Sequence, residues 1–392
     1  MRKDLKYIFK IIKNMKIFFR GPKKFDVILY DRNTGGGLRK YLDNDKIYIL
    51  DTRKESIYIF KLIKTLFKYR LKWNFQKYLY DVIESINPKV ILTNVDNDKK
   101  FWSLKKKFKQ INTVFIQNGF RSIYNDIFSK VATNEEGKYF VDKMFVFNDE
   151  VGKEYSKYIK GEIISLGSLN SNKVKIKNNE NKGILFISEW GPKRNWVNKS
   201  EESLNNFFYP ERYLFSLLVN FANSKKIDLN VLGRPDRVNQ KSFPHDKEEE
   251  YNFFLDIAGN KDWNYISTSK SGEESYNIID KSNMVVSISS TLGYEAMARG
   301  KKAAFFSCRG LKIKGPTGYT FAWPSELPDN GPFWTNLDNP LDFERIMNFL
   351  ILLKKEEWLK VAEPYLSKCM KYDENNSKFI NVMKNLNVPI KI

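Results

Sequence analysis

The sequence is poor in the residues that usually carry metal or redox chemistry. Its 392 residues include two cysteines, Cys308 and Cys369, and one histidine, His245. Neither cysteine has a partner at zinc-ligand or Cys-x-x-Cys spacing, which excludes the common zinc modules and thioredoxin-like motifs. A reducing, cytoplasmic setting fits so few thiols. Long apolar runs are also missing, and none reaches the ~20 residues that span a bilayer. The N-terminal MRKDLKYIFKIIKNMKIFFR carries a charge every few residues and has no small-residue cleavage site, so no secretory signal is expected. Acidic residues are scarce, 46 against 67 Lys and Arg, which leaves a formal charge of +21. Such a balance suits a polyanion, an anionic membrane or a phosphorylated substrate. The Lys, Asn and Ile bias of an AT-rich genome gives the same excess, and both explanations stay open. Zinc-finger, ribonucleoprotein and basic-zipper patterns are absent, so no nucleic-acid partner is expected.

What is present is an alternation of short apolar runs and helical patterns. FDVILY (25–30), KIYILD (46–51), KVILT (89–93), TVFIQ (113–117), KMFVF (143–147) and EIISLG (162–167) read as strands. Helices are expected at 56–70, 73–86 and 149–160. The polar SLNSNKVKIKNNENK (168–182) reads as a linker. The pattern then restarts with GILFIS, IDLNVLG, WNYIS, MVVSIS and KAAFF, and closes in helices near 341–355, 357–370 and 374–386. Strands separated by helices predict an α/β fold with parallel sheets, and near-continuous apolar runs predict strands covered on both faces. The reading is two Rossmann-like halves, 1–170 and 183–392, joined by a linker at 171–182, with helices at the C-terminus. Ligands in such sheets bind outside the carboxyl ends of the strands, so the cleft between the halves is the expected site.

One stretch, SISSTLGYEAMARGKKAAFF (287–306), concentrates polar groups where a strand should hand over to a helix. Ser289, Ser290 and Thr291 can cap that helix and also reach phosphate oxygens drawn to its positive end. Gly293 would let a ligand approach the backbone. Glu295, a turn later, can accept two hydrogen bonds from a ribose. An ordinary N-cap followed by a solvent-facing Glu reads equally well from these residues alone.

The stretch resembles the nucleotide-binding segment of GT-B glycosyltransferases of bacterial surface polysaccharide biosynthesis. That group includes capsule and lipopolysaccharide Kdo transferases, bacterial sialyltransferases and the polyol-phosphate transferases of teichoic acid synthesis. The resemblance implies that Ser289, Ser290 and Thr291 grip a donor phosphate and that Glu295 binds ribose. LNVLGRPDR (229–237) is similar to the strand and Lys-x-His-Pro-like motif of the group, with Arg234 before Pro235 in place of His. A guanidinium is a good bidentate phosphate ligand. His245, ten residues beyond Pro235, reads as a surface-loop residue. TVFIQNGFRS (113–122) resembles the Glu-Asp-Gly-Phe-x-Arg-Ser stretch of capsule Kdo transferases. Asn118 stands at the position of the catalytic Asp, and Arg121 is a candidate for holding substrate. An amide is no base, so another carboxylate is needed.

FISEWGPKRNW (186–196) offers one. Glu189 beside Trp190, in an aromatic and partly dry setting, would make a base, and Lys193 and Arg194 could neutralise phosphate. The glycines at 35–37 could cradle phosphate or simply form a loop. VDND (95–98) could hold a metal, or be a solvated turn, which the serine-rich second-half site favours. No metal and no cofactor are expected, because the nucleotide sugar is a substrate. The implied activity is transfer of a sugar from a nucleotide donor, first a CMP-linked Kdo or nonulosonic acid, to a lipid-linked surface polysaccharide. The alternatives are a CDP-polyol phosphotransferase of the teichoic acid type and a non-catalytic glycan-binding or scaffold subunit.

Two segments suit an anionic membrane surface. Leu5, Ile8, Phe9, Ile12 and Phe19 approximate one face of an N-terminal amphipathic helix, with Lys3, Lys6, Lys10, Lys13 and Arg20 on much of the remainder. IYIFKLIKTLFKYRLKWNF (57–75) has the same aromatic-basic mix. Packing of both apolar faces on the protein is the competing reading. With a lipid-linked acceptor, the expected location is cytoplasmic, peripheral at the inner face of the cell membrane.

Overall fold

The computed structural model describes residues 15–32, 34, 37–121, 138–177, 182–191, 200–235, 245–268, 272–312 and 319–391. The first half is built from β1 (Lys16–Phe18), β2 (Val27–Tyr30), β3 (Ile47–Leu50), β4 (Ser56–Tyr58), α1 (Ile59–Tyr69), α2 (Phe75–Ile86), β5 (Val90–Thr93), β6 (Asn112–Ile116), β7 (Tyr139–Val146), α3 (Asp149–Ser156) and β8 (Ile159–Ser165). Six of these strands form one parallel sheet in the order β3-β2-β5-β6-β7-β8, while β1 and β4 pair separately. The second half comprises β9 (Lys182–Ile187), α4 (Glu201–Lys225), β10 (Leu229–Gly233), α5 (Lys247–Ala258), β11 (Asn264–Ser267), α6 (Glu273–Lys281), β12 (Ser282–Ser287), α7 (Thr291–Ala298), β13 (Lys302–Phe306), β14 (Trp334–Thr335), α8 (Pro340–Leu352), α9 (Lys355–Cys369) and α10 (Ser377–Asn385). Its parallel sheet runs β11-β10-β9-β12-β13-β14. This is the expected α/β architecture of two Rossmann-like halves in the GT-B arrangement, with helices at the C-terminus.

The sequence patterns act through burial. Every residue of β2 (VILY) and of β5 (VILT) is buried, which requires helices on both faces of the sheet. Each buried aliphatic side chain contributes about 1.5–3 kcal/mol relative to exposure. Polar residues fix the strand-to-helix corners. Asn148, N-cap of α3, accepts from Val151 N at 2.9 Å and donates from Nδ2 to the Cys369 carbonyl at the end of α9.

The segment read as a linker is more embedded than its polarity implies. Ser168, Ser171 and Asn172 are buried: the Ser168 and Asn172 side chains bond distant Glu295 and Asn376, and the Ser171 carbonyl accepts from Arg299. Asn172 Nδ2 bonds Asn376 Oδ1 at 3.0 Å, and Asn376 Nδ2 bonds Tyr41 Oη at 2.7 Å. Gly167 (φ +80°) lies so close to the Lys371 carbonyl that a Cβ would stand 1.8 Å from it, so only glycine fits this crossing. Helix α10, drawn with the second half in the sequence reading, returns to the first: Phe379 packs edge-on against Tyr41 and Phe145. Of the segment expected as an N-terminal helix, residues 16–18 form a strand; residues 1–14 lie outside the described residues.

Candidate functional site

Three loops meet in the cleft, each following a strand that sequence alone had placed there. Beyond β12, the three hydroxyls have three separate tasks. Ser289 donates both its amide (2.6 Å) and its hydroxyl (2.7 Å) to the Glu189 carboxylate. Ser290 is the N-cap of α7 and accepts from Leu292 N at 3.3 Å. Thr291 Oγ1 accepts the Phe120 amide at 2.9 Å, from the opposite half. That contact is doubled by the stacking of Phe120 on Tyr294. The QNGFR loop is thereby clamped to the start of α7, with exposed Asn118 at its tip.

Glu189 sits in a charged cluster. Its carboxylate also lies 3.3 Å from Arg309 Nη2, which bonds Glu211 Oε1 at 2.7 Å. Arg309 and Glu211 are fully buried, and Glu189 nearly so. Burial pushes Glu211 above the usual carboxylate range, and Arg309 opposes that shift. The ring of the adjoining Trp190 is buried among Phe208, Phe253 and His245.

Gly293 has a packing role: a Cβ there would meet Ser287 Cβ at 2.5 Å, so the glycine lets α7 lie on β12. Other expectations are corrected. Glu295 does not face solvent. It accepts hydrogen bonds from Ser168 and Tyr276, and burial pushes its pKa up to about 7 against those bonds and the nearby Arg299. Arg121 is committed to a bidentate pair with Asp96, which also accepts from Tyr155 Oη at 2.5 Å. Asp96 is therefore neither a solvated turn residue nor an open metal ligand. Residues able to cluster around a metal ion are not found among the described residues. His245 is buried, not a surface-loop residue. It meets Glu250 at 2.8 Å, in a network where Glu250 also accepts from Ser188, Tyr265 (2.6 Å) and the Arg234 amide (3.2 Å).

That network ties together the ends of β9, β10 and β11 and so fixes Glu189 and Arg234 relative to each other. The Arg234 side chain is exposed at the end of β10, followed by Pro235. Lys193 and Arg194, and Gly35 and Gly36 of the glycine run, lie outside the described residues. Sequence reasoning missed Arg309, Glu211 and Glu250: Arg309 and Glu211 meet across 98 positions of chain and Glu250 reaches Ser188 across 62, and contacts that distant leave no local pattern.

A second cavity, about 320 Å³, lies in the first half. Its walls follow the carboxyl ends of β2, β3 and β5, where the strand order reverses direction, the default binding point of an open α/β sheet. Asp31, Arg53, Asp98 and Lys100 supply charge, and Tyr30, Phe75 and Gln76 complete it. Burial raises the Asp98 carboxyl, opposed by the Lys100 amide and charge. The buried Tyr30 hydroxyl and Gln76 amide nitrogen make no hydrogen bond of regular geometry there.

The fold is similar to several solved structures. S. aureus MnaA, solved with UDP, aligns over 93% of this chain and 97% of its own at 15% identity and TM-score 0.50. Sucrose-phosphate synthase from Thermosynechococcus elongatus aligns over 92% and 89% at 12% identity and TM-score 0.49. The wall teichoic acid polymerase TagF aligns over 98% and 96% at 11% identity and TM-score 0.41. Comparison with curated proteins returns no match. Residues 114–387 match a family model described as "putative O-antigen biosynthesis protein". The matched span is more than two thirds of the chain and runs from the QNGFR loop through α7 to α10, so the chain belongs to this O-antigen biosynthesis family.

Proposed function

We propose that the protein is a metal-independent GT-B glycosyltransferase of surface polysaccharide synthesis, acting on a nucleotide-sugar donor and a lipid-linked glycan acceptor. The observation that carries this reading is the start of α7: the Ser289 amide, already bound to a carboxylate anion, and three hydroxyls at the carboxyl end of β12, facing a loop from the other half. A donor phosphate suits that position electrostatically. Ser289, Ser290 and Thr291 would hold it, with Arg234 and, from the adjoining loop, Lys193 and Arg194 balancing the charge of the leaving phosphate.

Glu189 is the candidate base, and Asn118 is the candidate for holding donor or acceptor. Glu295 would reach ribose only after exchanging Ser168 or Tyr276 for a sugar hydroxyl. The first-half cavity supports an acceptor role, since paired carboxylates and an aromatic wall suit hydroxyl-rich ligands. A CMP-linked Kdo or nonulosonic acid is the donor assigned first, on the resemblance of the hydroxyl row.

The test is a thermal-shift panel of CMP, CDP, UDP, GDP and dTDP, followed by turnover with the matching sugar nucleotide. A ligand at 100 times its Kd adds about 2.7 kcal/mol of stability. A shift with CMP supports the assigned donor. A shift with CDP and transfer of a polyol phosphate would establish the phosphotransferase alternative. UDP belongs in the panel because MnaA was solved with it. Silence with all five would favour a non-catalytic subunit.

A further inference from the structure

Helix α1 is amphipathic in the wrong direction for a soluble surface. Phe60, Ile63 and Phe67 recur at helical spacing and lie on its outer side, and Leu71 continues the line just beyond. Phe60 is 59% exposed and Phe67 77%. The inner side is held by the buried Thr65, which bonds Asp81 of α2 at 2.7 Å, so the orientation of the helix is fixed by its own packing. Strand β1 extends the same surface: Ile17, Phe18 and Phe19 are exposed, and the Phe19 ring lies 6.2 Å from Phe60. Scattered exposed apolar residues are ordinary, but a contiguous aromatic and aliphatic patch marks a binding surface.

Charge identifies the partner. Residues 56–80 contain six Lys or Arg and no Asp or Glu. Lys64 and Lys68 flank the apolar stripe on one side, Arg70 and Lys72 follow its end, and Lys16 and Arg20 bracket β1; all are exposed. Lys68 is partly neutralised by Asp81 and Glu84 of α2. An apolar stripe with a basic margin matches a bilayer interface, where rings sit among headgroups and cations meet anionic phosphates. It does not match a cross-bilayer segment, since no described helix is long and apolar enough.

We propose that β1 and α1 form a docking face for an anionic lipid surface. The face needs neither donor nor acceptor and is independent of the glycosyltransferase reading.

The test is flotation of the full chain with vesicles of phosphatidylglycerol and phosphatidylethanolamine, and with phosphatidylcholine alone. Binding is expected to the anionic vesicles only and to weaken with salt. The exposed double variant Phe60→Ser/Phe67→Ser should lower vesicle partitioning by about tenfold or more. Lys64→Glu/Lys72→Glu should do the same while leaving the apolar stripe intact. Light scattering follows the mass of the parent and both variants. Equal binding by parent and variants overturns the proposal. So does a parent dimer that ignores vesicles and becomes monomeric in Phe60→Ser/Phe67→Ser, because a second copy would then cover this face. Nucleotide affinity, measured alongside, should not change in either variant.

Discussion

Phe120 and Tyr294 stack across the cleft, with ring centroids 4.0 Å apart and planes 13° from parallel. One ring belongs to the loop after β6 and the other to α7, so this pair joins the two halves where the chemistry is expected. Tyr294 is in turn locked from behind: its hydroxyl accepts the Ala322 amide at 3.0 Å, and its ring contacts Phe305 and Phe321. Phe120 is the less buried partner. Phe120→Ala should cost about 1–3 kcal/mol of stability, as expected for a half-buried aromatic pair. Turnover should fall further than that loss explains, because Asn118 would no longer be clamped beside Thr291. Urea unfolding and single-turnover kinetics on one preparation separate the two effects. Unchanged kinetics would show that the clasp is structural.

The hydroxyl row can be tested one residue at a time, since the hydroxyls do different work. Ser290→Ala removes an N-cap and should cost about 1 kcal/mol of stability. Ser289→Ala leaves the cap alone and removes a donor to an anion, weakening nucleotide binding by about 1.5–3 kcal/mol. Calorimetric titration and thermal melts of the two variants should therefore rank them in opposite orders.

Glu295 gives a pH signature. Burial raises its pKa from 4.5 to about 7, so the folded state binds a proton that the unfolded state has released over this range. Its contribution to stability is full below pH 4.5 and is lost as pH rises toward about 7. Glu295→Gln imitates the protonated acid. Its stability relative to the parent should rise across that window, read from denaturant midpoints at pH 5 and pH 7.5. If Glu295 also holds ribose, the same variant should bind nucleoside diphosphate more weakly than phosphate alone would predict.

The fold was legible because each half announces itself through local patterns. VILY, VILT and MVVS are apolar runs too short for buried helices, and Asn148 and Ser290 cap the helices that follow β7 and β12. The hydroxyl row was legible for the same reason: Ser290 caps α7 within its own sequence. What stayed hidden was long-range. Polar residues at 168–172 read as a linker because their partners, Glu295 and Asn376, are supplied by distant elements. His245 read as a loop residue because Glu250 and Trp190 bury it only once β9, β10 and β11 are assembled. Arg309 sits in SCRGLK, a stretch with no motif, and gains meaning only from the two carboxylates that converge on it.

The last prediction concerns Glu189. Its carboxylate occupies the Ser289 amide and hydroxyl, the same donors that a phosphate would use. On the proposed reading, a donor phosphate would compete with the carboxylate for these donors, and Glu189, beside Arg309 at 3.3 Å, would take a proton from an acceptor hydroxyl. Glu189→Gln keeps the shape and one acceptor oxygen but removes the charge. Two effects of opposite direction follow. Nucleotide affinity should rise several-fold, because the competing anion is gone and repulsion between Glu189 and phosphate is relieved. Turnover should fall by about 10²–10⁴-fold, the usual loss of a general base. Glu211 cannot substitute, since it is fully buried and bound to the same Arg309 nitrogen. Tighter binding with normal turnover would make Glu189 a gate and move the search for the base to Asp149 or Glu150. Weaker binding would show that the carboxylate organises the hydroxyl row rather than competing for it.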